Sequence, residues 1–236
     1  KHVHGELDAV LSAYLNAVVA KPNKRLSTSW RRGFEALLDA YLGKVPKTFT
    51  AGGKTHTPRS YADALPIKPS DYVSITSFTH HPFYESFAIE VPDNWLSYPS
   101  ANLPMEEMKQ VVDNAIEKGY PVVWAADVSE GGFKWKEGFA VMPKERTADD
   151  MEGTELSRWV HLTDKERSEA QFDFKGPVEE IEVTQQSRQE MFDRQETTDD
   201  HGMEIIGTAT DQNGKRYYKV KNSWDTNQVY DGYIYV

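Results

Sequence analysis

The chain has 236 residues, of which 39% are hydrophobic, 12% aromatic and 27% charged, a composition that buries a core without staples and excludes a disordered chain. Its formal net charge of −10 argues against nucleic acid and anionic membrane as main partners, since both select Lys/Arg patches. There is no cysteine, which excludes disulfides and thiolate zinc sites.

In chain order, ELDAVLSAYLNAVVA carries Leu7, Val10, Leu11, Tyr14, Leu15 and Val18 at helical spacing, and KPN at 21–23 ends the helix. STSWRRGFEALLDAYLGK repeats the pattern with Trp30, Phe34, Leu37, Leu38 and Tyr41. Ser27 and Ser29 are its cap candidates and Gly43 its stop. TAGGKTHTP at 50–58 reads as a hairpin or turn, and a short helix at 59–65 precedes Pro66. Residues 1–70 are thus expected to form a helical part.

The next segments change character. DYVSITSF (71–78) alternates and is β-branched, which predicts a strand. THHPFYESFAIEVPDNW is aromatic loop and strand. LPMEEMKQVVDNAIEKG is a helix opened by Pro104 and closed by Gly119. PVVWAADVSE (121–130) reads as a buried strand through Val122, Val123 and Trp124, and GFKWKEGFAVMP as a returning strand. A charged insertion near 144–198 holds short helices in TELSRWVHL and TQQSRQEMFDRQ. HGMEIIGTATD and KRYYKVKNSW are strands joined across Asn213-Gly214, a strong hairpin signal, and DGYIYV is the last strand. Helices first and sheet last predict an α+β fold, with a β-rich half over 71–236 ending in an antiparallel sheet or barrel.

No apolar run nears the roughly 18 residues of a spanning helix, and nothing at the N-terminus reads as a signal peptide. The start at Lys1 rather than Met is read as the mark of a removed upstream segment. The compartment stays open.

The chemistry concentrates in the last strands. His201 opens one of them and Asn222 closes the next, with the Asn213-Gly214 turn roughly midway. Such a hairpin brings the start of its first strand beside the end of its second. A neutral His accepts a proton from a thiol or hydroxyl, and an Asn oxygen fixes its tautomer by accepting the far ring N–H. Trp224 is placed to keep water off that bond. Asp199 and Asp200 precede His201 and read as a solvated turn that also stands close enough in sequence to tune it. His80-His81 invites a metal, but adjacent side chains diverge in most backbones and no third ligand stands at metal spacing. A loop or packing role is expected there. His2 and His4 form an H-x-H at a frayed terminus. Glu106-Glu107 and Glu179-Glu180 read as solvated faces, and Trp95, Trp124, Trp135 and Trp159 as core.

YYKVKNSWDTNQVYDGYIYV resembles the Asn-bearing segment of papain-like cysteine peptidases, whose pattern is YW-x-V-KNSWG…WG-x-x-GY. Within them the chain is similar to the bleomycin hydrolase/aminopeptidase C branch. DYVSITSFTHHPFYESFAIEVPDNW resembles its DYVSLT…HPFY segment, PVVWAADVSEGGFKWKEGFAVMP its PVWFGCDV strand, and TTDDHGMEIIGTATDQNGKRYYKVKNSW its THAM…ENSW segment. The similar segments run from about residue 28 to the end. The resemblance implies His201 as catalytic base and acid, Asn222 as its orienter and Trp224 as the shield of their contact. It implies Phe133 and Trp135 as substrate-lining residues, with Asp200 beside them, and no metal or organic cofactor. The family's nucleophilic Cys lies far upstream of its His in a Q…GxCW-type motif, which this sequence does not contain. SRQEMF at 187–192 is no substitute.

The chain is therefore expected to be the C-terminal part of a cysteine peptidase acting on peptides, its thiol supplied by a separate N-terminal chain or segment. A homo-oligomer is left open, because the branch forms hexameric rings. The branch favours the cytoplasm, with secreted or periplasmic locations also open. Family members continue past the GYIYV strand, and that tail, which limits cleavage to peptide N-termini, is not in this sequence. Where the family has Gly after Trp, this chain has Asp225. A non-catalytic binding or assembly protein of the same fold, or an inert fragment, are the alternatives.

Overall fold

The structure is a computed structural model that describes residues 3–20, 25–92, 94–176 and 178–236. The KPN stop and His2 lie outside the described residues. The chain divides between Tyr72 and Val73 into two compact units.

In the first unit, α1 (His4–Val19) and α2 (Ser29–Leu42) precede a hairpin of β1 (Phe49–Ala51) and β2 (Lys54–His56), then α3 (Pro58–Ala64). Leu7 is the buried anchor of α1. The Tyr14 hydroxyl donates to the Trp30 carbonyl at 2.8 Å, and the bare Cα of Gly33 lets the Tyr14 ring approach α2, since a Cβ there would overlap it. The cap position of α2 falls on Thr28, whose side chain makes no capping bond. Ser27 Oγ accepts the Ser29 N–H at 3.3 Å, so of the two cap candidates only Ser27 satisfies a helix-end donor.

The second unit holds β3 (Ile75–Thr76), β4 (Ser86–Ala88), β5 (Pro99–Asn102), α4 (Met105–Glu117), β6 (Val122–Ala126), β7 (Phe133–Lys134) and β8 (Phe139–Ala140). It continues with α5 (Gly153–His161), α6 (Asp164–Gln171), α7 (Gln185–Asp193), β9 (His201–Thr210), β10 (Arg216–Lys221) and β11 (Tyr233–Tyr235). The strand expected over 71–78 shrinks to two residues. Past Thr76 the backbone turns to a buried side chain instead of a ladder. Asn102 accepts the Phe78 N–H and donates to the carbonyls of Phe78, His81 and Pro82 at 2.8–3.2 Å.

Six strands form the main sheet in the order β6-β9-β10-β11-β8-β7. Every pairing is antiparallel except β11 with β8, so the expected antiparallel sheet is a mixed one. The segment read as a buried strand, β6, is an edge strand, and its side chains alternate. Trp124 and Ala126 turn inward while Val123 is 78% exposed, because a strand covered on one face shows only every second residue to the core. GFKWKEGFAVMP is two short strands around a turn at Gly138 rather than one strand. Gly138 has φ 78, and a Cβ there would strike the Tyr230 ring.

Ala126, Met203, Ile205, Val220 and Ile234 make the core, with Val112 and Ile116 of α4 packed against it. Ile205 faces Val220, which faces Ile234, so three neighbouring strands put one apolar row on one face. In the charged insertion, α6 was not predicted. DKERSEAQ has no apolar stripe, and its start is set by a reciprocal cap between Thr163 and Glu166. Trp159 is buried and Trp124 and Trp135 are half-buried, but Trp95, read as core, is 79% exposed. Glu180 is not a solvated face. It pairs with Lys215 and ties the insertion to the β9–β10 hairpin.

Candidate active site

The hairpin of β9 and β10 is the scaffold. Its turn, with Gly214 at φ 84, starts a register in which Lys219 faces Gly207, and a β-bulge between Lys219 and Val220 shifts it by one residue, so that Ile205 faces Val220 and Glu204 faces Lys221. Continued by one step, that register puts Asn222 opposite Met203. His201 is two residues from Met203 and therefore on the same face. His201 Nε2 lies 2.8 Å from Asn222 Oδ1.

The orientation of that contact follows from the backbone. Asn222 Oδ1 also accepts the Ser223 N–H at 2.7 Å. A backbone N–H only donates, so the amide oxygen must face it. The same oxygen then faces His201, which places the imidazole proton on Nε2 and leaves the Nδ1 lone pair free. Asn222 is buried, and its own N–H donates to the Gly232 carbonyl at 3.1 Å. Its Nδ2 is buried with no partner among the described residues, which is the cost of turning the oxygen toward both donors.

Trp224 packs on His201 with ring centroids 5.0 Å apart. Phe133 and Trp135 meet Trp224 edge-on at 5.8 and 5.2 Å. Three aromatic residues singled out in the sequence therefore form one cluster beside the imidazole. Trp224 is 47% exposed, so the cluster keeps an open face. Asp225 does not occupy a left-handed conformation. Its Oδ1 accepts the N–H groups of Thr226 and Asn227 and turns the loop there.

Asp200 precedes the imidazole but is engaged elsewhere. Its Oδ1 accepts the Val128 N–H at 3.0 Å, and its N–H donates to the Ala126 carbonyl at 3.1 Å. A residue that sequence reasoning passed over does related work. Asp127 accepts the N–H and hydroxyl of Ser129 through Oδ1, and the N–H and hydroxyl of Thr198 through Oδ2. Burial pushes its carboxyl up, and the four donors outweigh burial and hold it below its ordinary value. Asp127 thus pins the segment leading into His201 to the loop after β6. The Asp-x-Ser turn spacing in ADVSE was the available signal.

Gathered at one end of the sheet are an imidazole with a defined tautomer, its buried amide orienter and an aromatic wall. The arrangement suits proton transfer at Nδ1, and the 236 residues supply no thiol for it. No helix among the described residues is long and apolar enough to cross a membrane.

Residues 133–236 match the family model described as papain family cysteine protease. No curated protein matches the sequence. Among the solved structures that match is PepW from Lactobacillus rhamnosis HN001 (DR20), with a TM-score of 0.62 at 18% identity over 98% of this chain and 52% of that one. The chain spans about half the length of that structure, and at this identity the likeness is one of fold.

Proposed function

We propose, on the premise that the C-terminal part of this chain is papain-like, that it carries the His/Asn half of a cysteine peptidase of the bleomycin hydrolase/aminopeptidase C type. The nucleophilic Cys belongs to a separate chain or segment outside these 236 residues. The supporting observation is the 2.8 Å contact of His201 Nε2 with Asn222 Oδ1, whose direction the Ser223 N–H dictates. His201 takes the thiol proton at Nδ1, and the thiolate attacks the peptide carbonyl. The imidazolium returns the proton to the leaving amine, and water releases the acyl-enzyme. Asn222 keeps the ring in that tautomer, and a neutral orienter suits a thiolate–imidazolium pair. Trp224, Phe133 and Trp135 line the substrate side. None of these steps calls for a metal or organic cofactor.

The test is intact-mass spectrometry of the purified, denatured protein, with and without iodoacetamide. A second polypeptide that gains a label supplies the nucleophile. In that assembly, His201→Ala is expected to lower kcat/KM on a peptide substrate by at least about a thousandfold. A single species without label that cleaves no peptide would overturn the peptidase reading in favour of a binding or assembly role. The absence of cysteine from the sequence is the observation that keeps this second role in view.

A further inference from the structure

A second cluster lies on the β3–β4 side of the same unit. His80 and His81 follow β3, and Glu90 follows β4. Glu90 is the third ligand that sequence spacing did not reveal. His81 Nε2 lies 2.6 Å from Glu90 Oε1, and His80 Nε2 lies 3.2 Å from Oε2. One ligating atom from each of the three falls within 4.8 Å of the others. Adjacent residues rarely converge this way, and two features make them do so. Buried Asn102 holds the carbonyls of Phe78, His81 and Pro82 and so shapes the loop. Aromatic walls then orient the rings, with Phe87 stacked on His81 at 4.1 Å and Phe192 on His80 at 5.5 Å.

We propose that His80, His81 and Glu90 form a site for a divalent cation of the zinc class. Two neutral imidazoles and one carboxylate are a donor set matched to zinc and its imidazole-seeking neighbours, and mismatched to magnesium and calcium, which take oxygen. Bonds of about 2.0–2.2 Å would bring the ligating atoms to about 3.3 Å of one another. The Glu90 side chain, 57% exposed, is free to make that adjustment, and water fills the remaining position.

Coordination moves each ring proton from Nε2 to Nδ1. At His80 this meets Gln189, whose Nε2 lies 3.0 Å from His80 Nδ1 and also donates to Asp193. Gln189 Oε1 already accepts the Thr79 N–H and hydroxyl. Binding through His80 therefore turns the Gln189 amide over, at the cost of those bonds. Gln189→Glu together with Asp193→Asn gives His80 an acceptor, keeps one for Thr79, and avoids setting two carboxylates across the 2.8 Å contact that Gln189 makes with Asp193. The cation would tie the loop that carries His80 and His81 to the segment after β4 that carries Glu90.

The test is calorimetric titration of zinc chloride into the full chain after chelator treatment and dialysis. The background carries H2A and H4A, so that the terminal histidines take no metal. One equivalent of zinc is expected to bind, with no heat from magnesium. H81A and E90A are each expected to weaken binding at least about tenfold with unchanged circular dichroism, and the Q189E, D193N double variant to strengthen it by about tenfold. E90A, at an exposed position, guards against a folding artefact in H81A. An absence of zinc heat in the background protein, or full affinity retained in both H81A and E90A, would overturn the site. An unchanged affinity in the Q189E, D193N double variant would overturn coordination through His80.

Discussion

Asn222 fixes the protonation of His201 through one backbone N–H. Because Ser223 N–H and the imidazole share Oδ1, the ring has one favoured neutral tautomer before any substrate arrives. Asn222→Ala removes that acceptor. Imidazole nitrogen shifts in long-range nitrogen–proton spectra are expected to show Nε2 protonated in the native chain and a mixture of tautomers in the variant. An unchanged spectrum would mean that something other than Asn222 orients the ring. Asp127 acts one step further out. With Asp127→Ala the four bonds to Ser129 and Thr198 are lost, and amide exchange over residues 196–200 is expected to accelerate while β10 stays protected.

At the scale of elements, the β9–β10–β11 row is where the site gets its rigidity. Val220 and Ile234 are fully buried and face each other across the pair. Ile234→Ala leaves a cavity in a row that has little room to collapse and is expected to cost about 2–5 kcal/mol in denaturant unfolding. A loss under about 1 kcal/mol would show that the row repacks. The start of α7 depends on a reciprocal cap, in which Thr184 accepts the Ser187 N–H at 3.1 Å and Ser187 returns the bond. Thr184→Ala is expected to cost about 1 kcal/mol. The effect should appear as fraying of a helix whose Gln189 and Arg188 hold Thr79 and Ser77.

For the second unit as a whole, carboxylates join distant parts of the chain. Asp113 of α4 accepts from Arg216 at 2.8 Å and from the Tyr218 hydroxyl at 2.6 Å, both on β10. Burial works to raise its carboxyl, and Arg216 and Tyr218 overcome that and hold it below the ordinary 3.8. The same direction holds for Asp127. A carboxyl depressed in the folded state adds stability that is complete above the unfolded value and is lost as pH falls through the folded one. Both contributions should therefore be intact at neutral pH and disappear below about pH 4. Thermal melts of an Asp113→Asn, Asp127→Asn double variant against pH are expected to show a shallower acid limb than the native chain. Parallel acid limbs would assign acid unfolding to other groups.

Local signals in the sequence determined a good deal. Asn213-Gly214 between two alternating runs is a turn by backbone sterics alone, and it carried the β9–β10 pairing with it as far as Lys219, where a bulge shifts the register. The periodicity of α1, α2 and α4 and the stops at Gly43 and Gly119 were legible because helix repeats and left-handed glycines act within a few residues. The family pattern around Asn222-Ser223-Trp224 marked His201 and Asn222, and the register then placed them side by side. Tertiary structure decided the rest. Val123 reads as core in a run of apolar residues, and only the absence of cover on its face of the sheet exposes it. Strand direction is not written in β8 or β11, so the parallel pairing of these two strands depends on where the chain returns. Glu90 meets His80 and His81 because buried Asn102, on another strand, dictates the loop between them. Each of these depends on groups far apart in sequence, whose meeting the global packing of the chain sets rather than any local propensity.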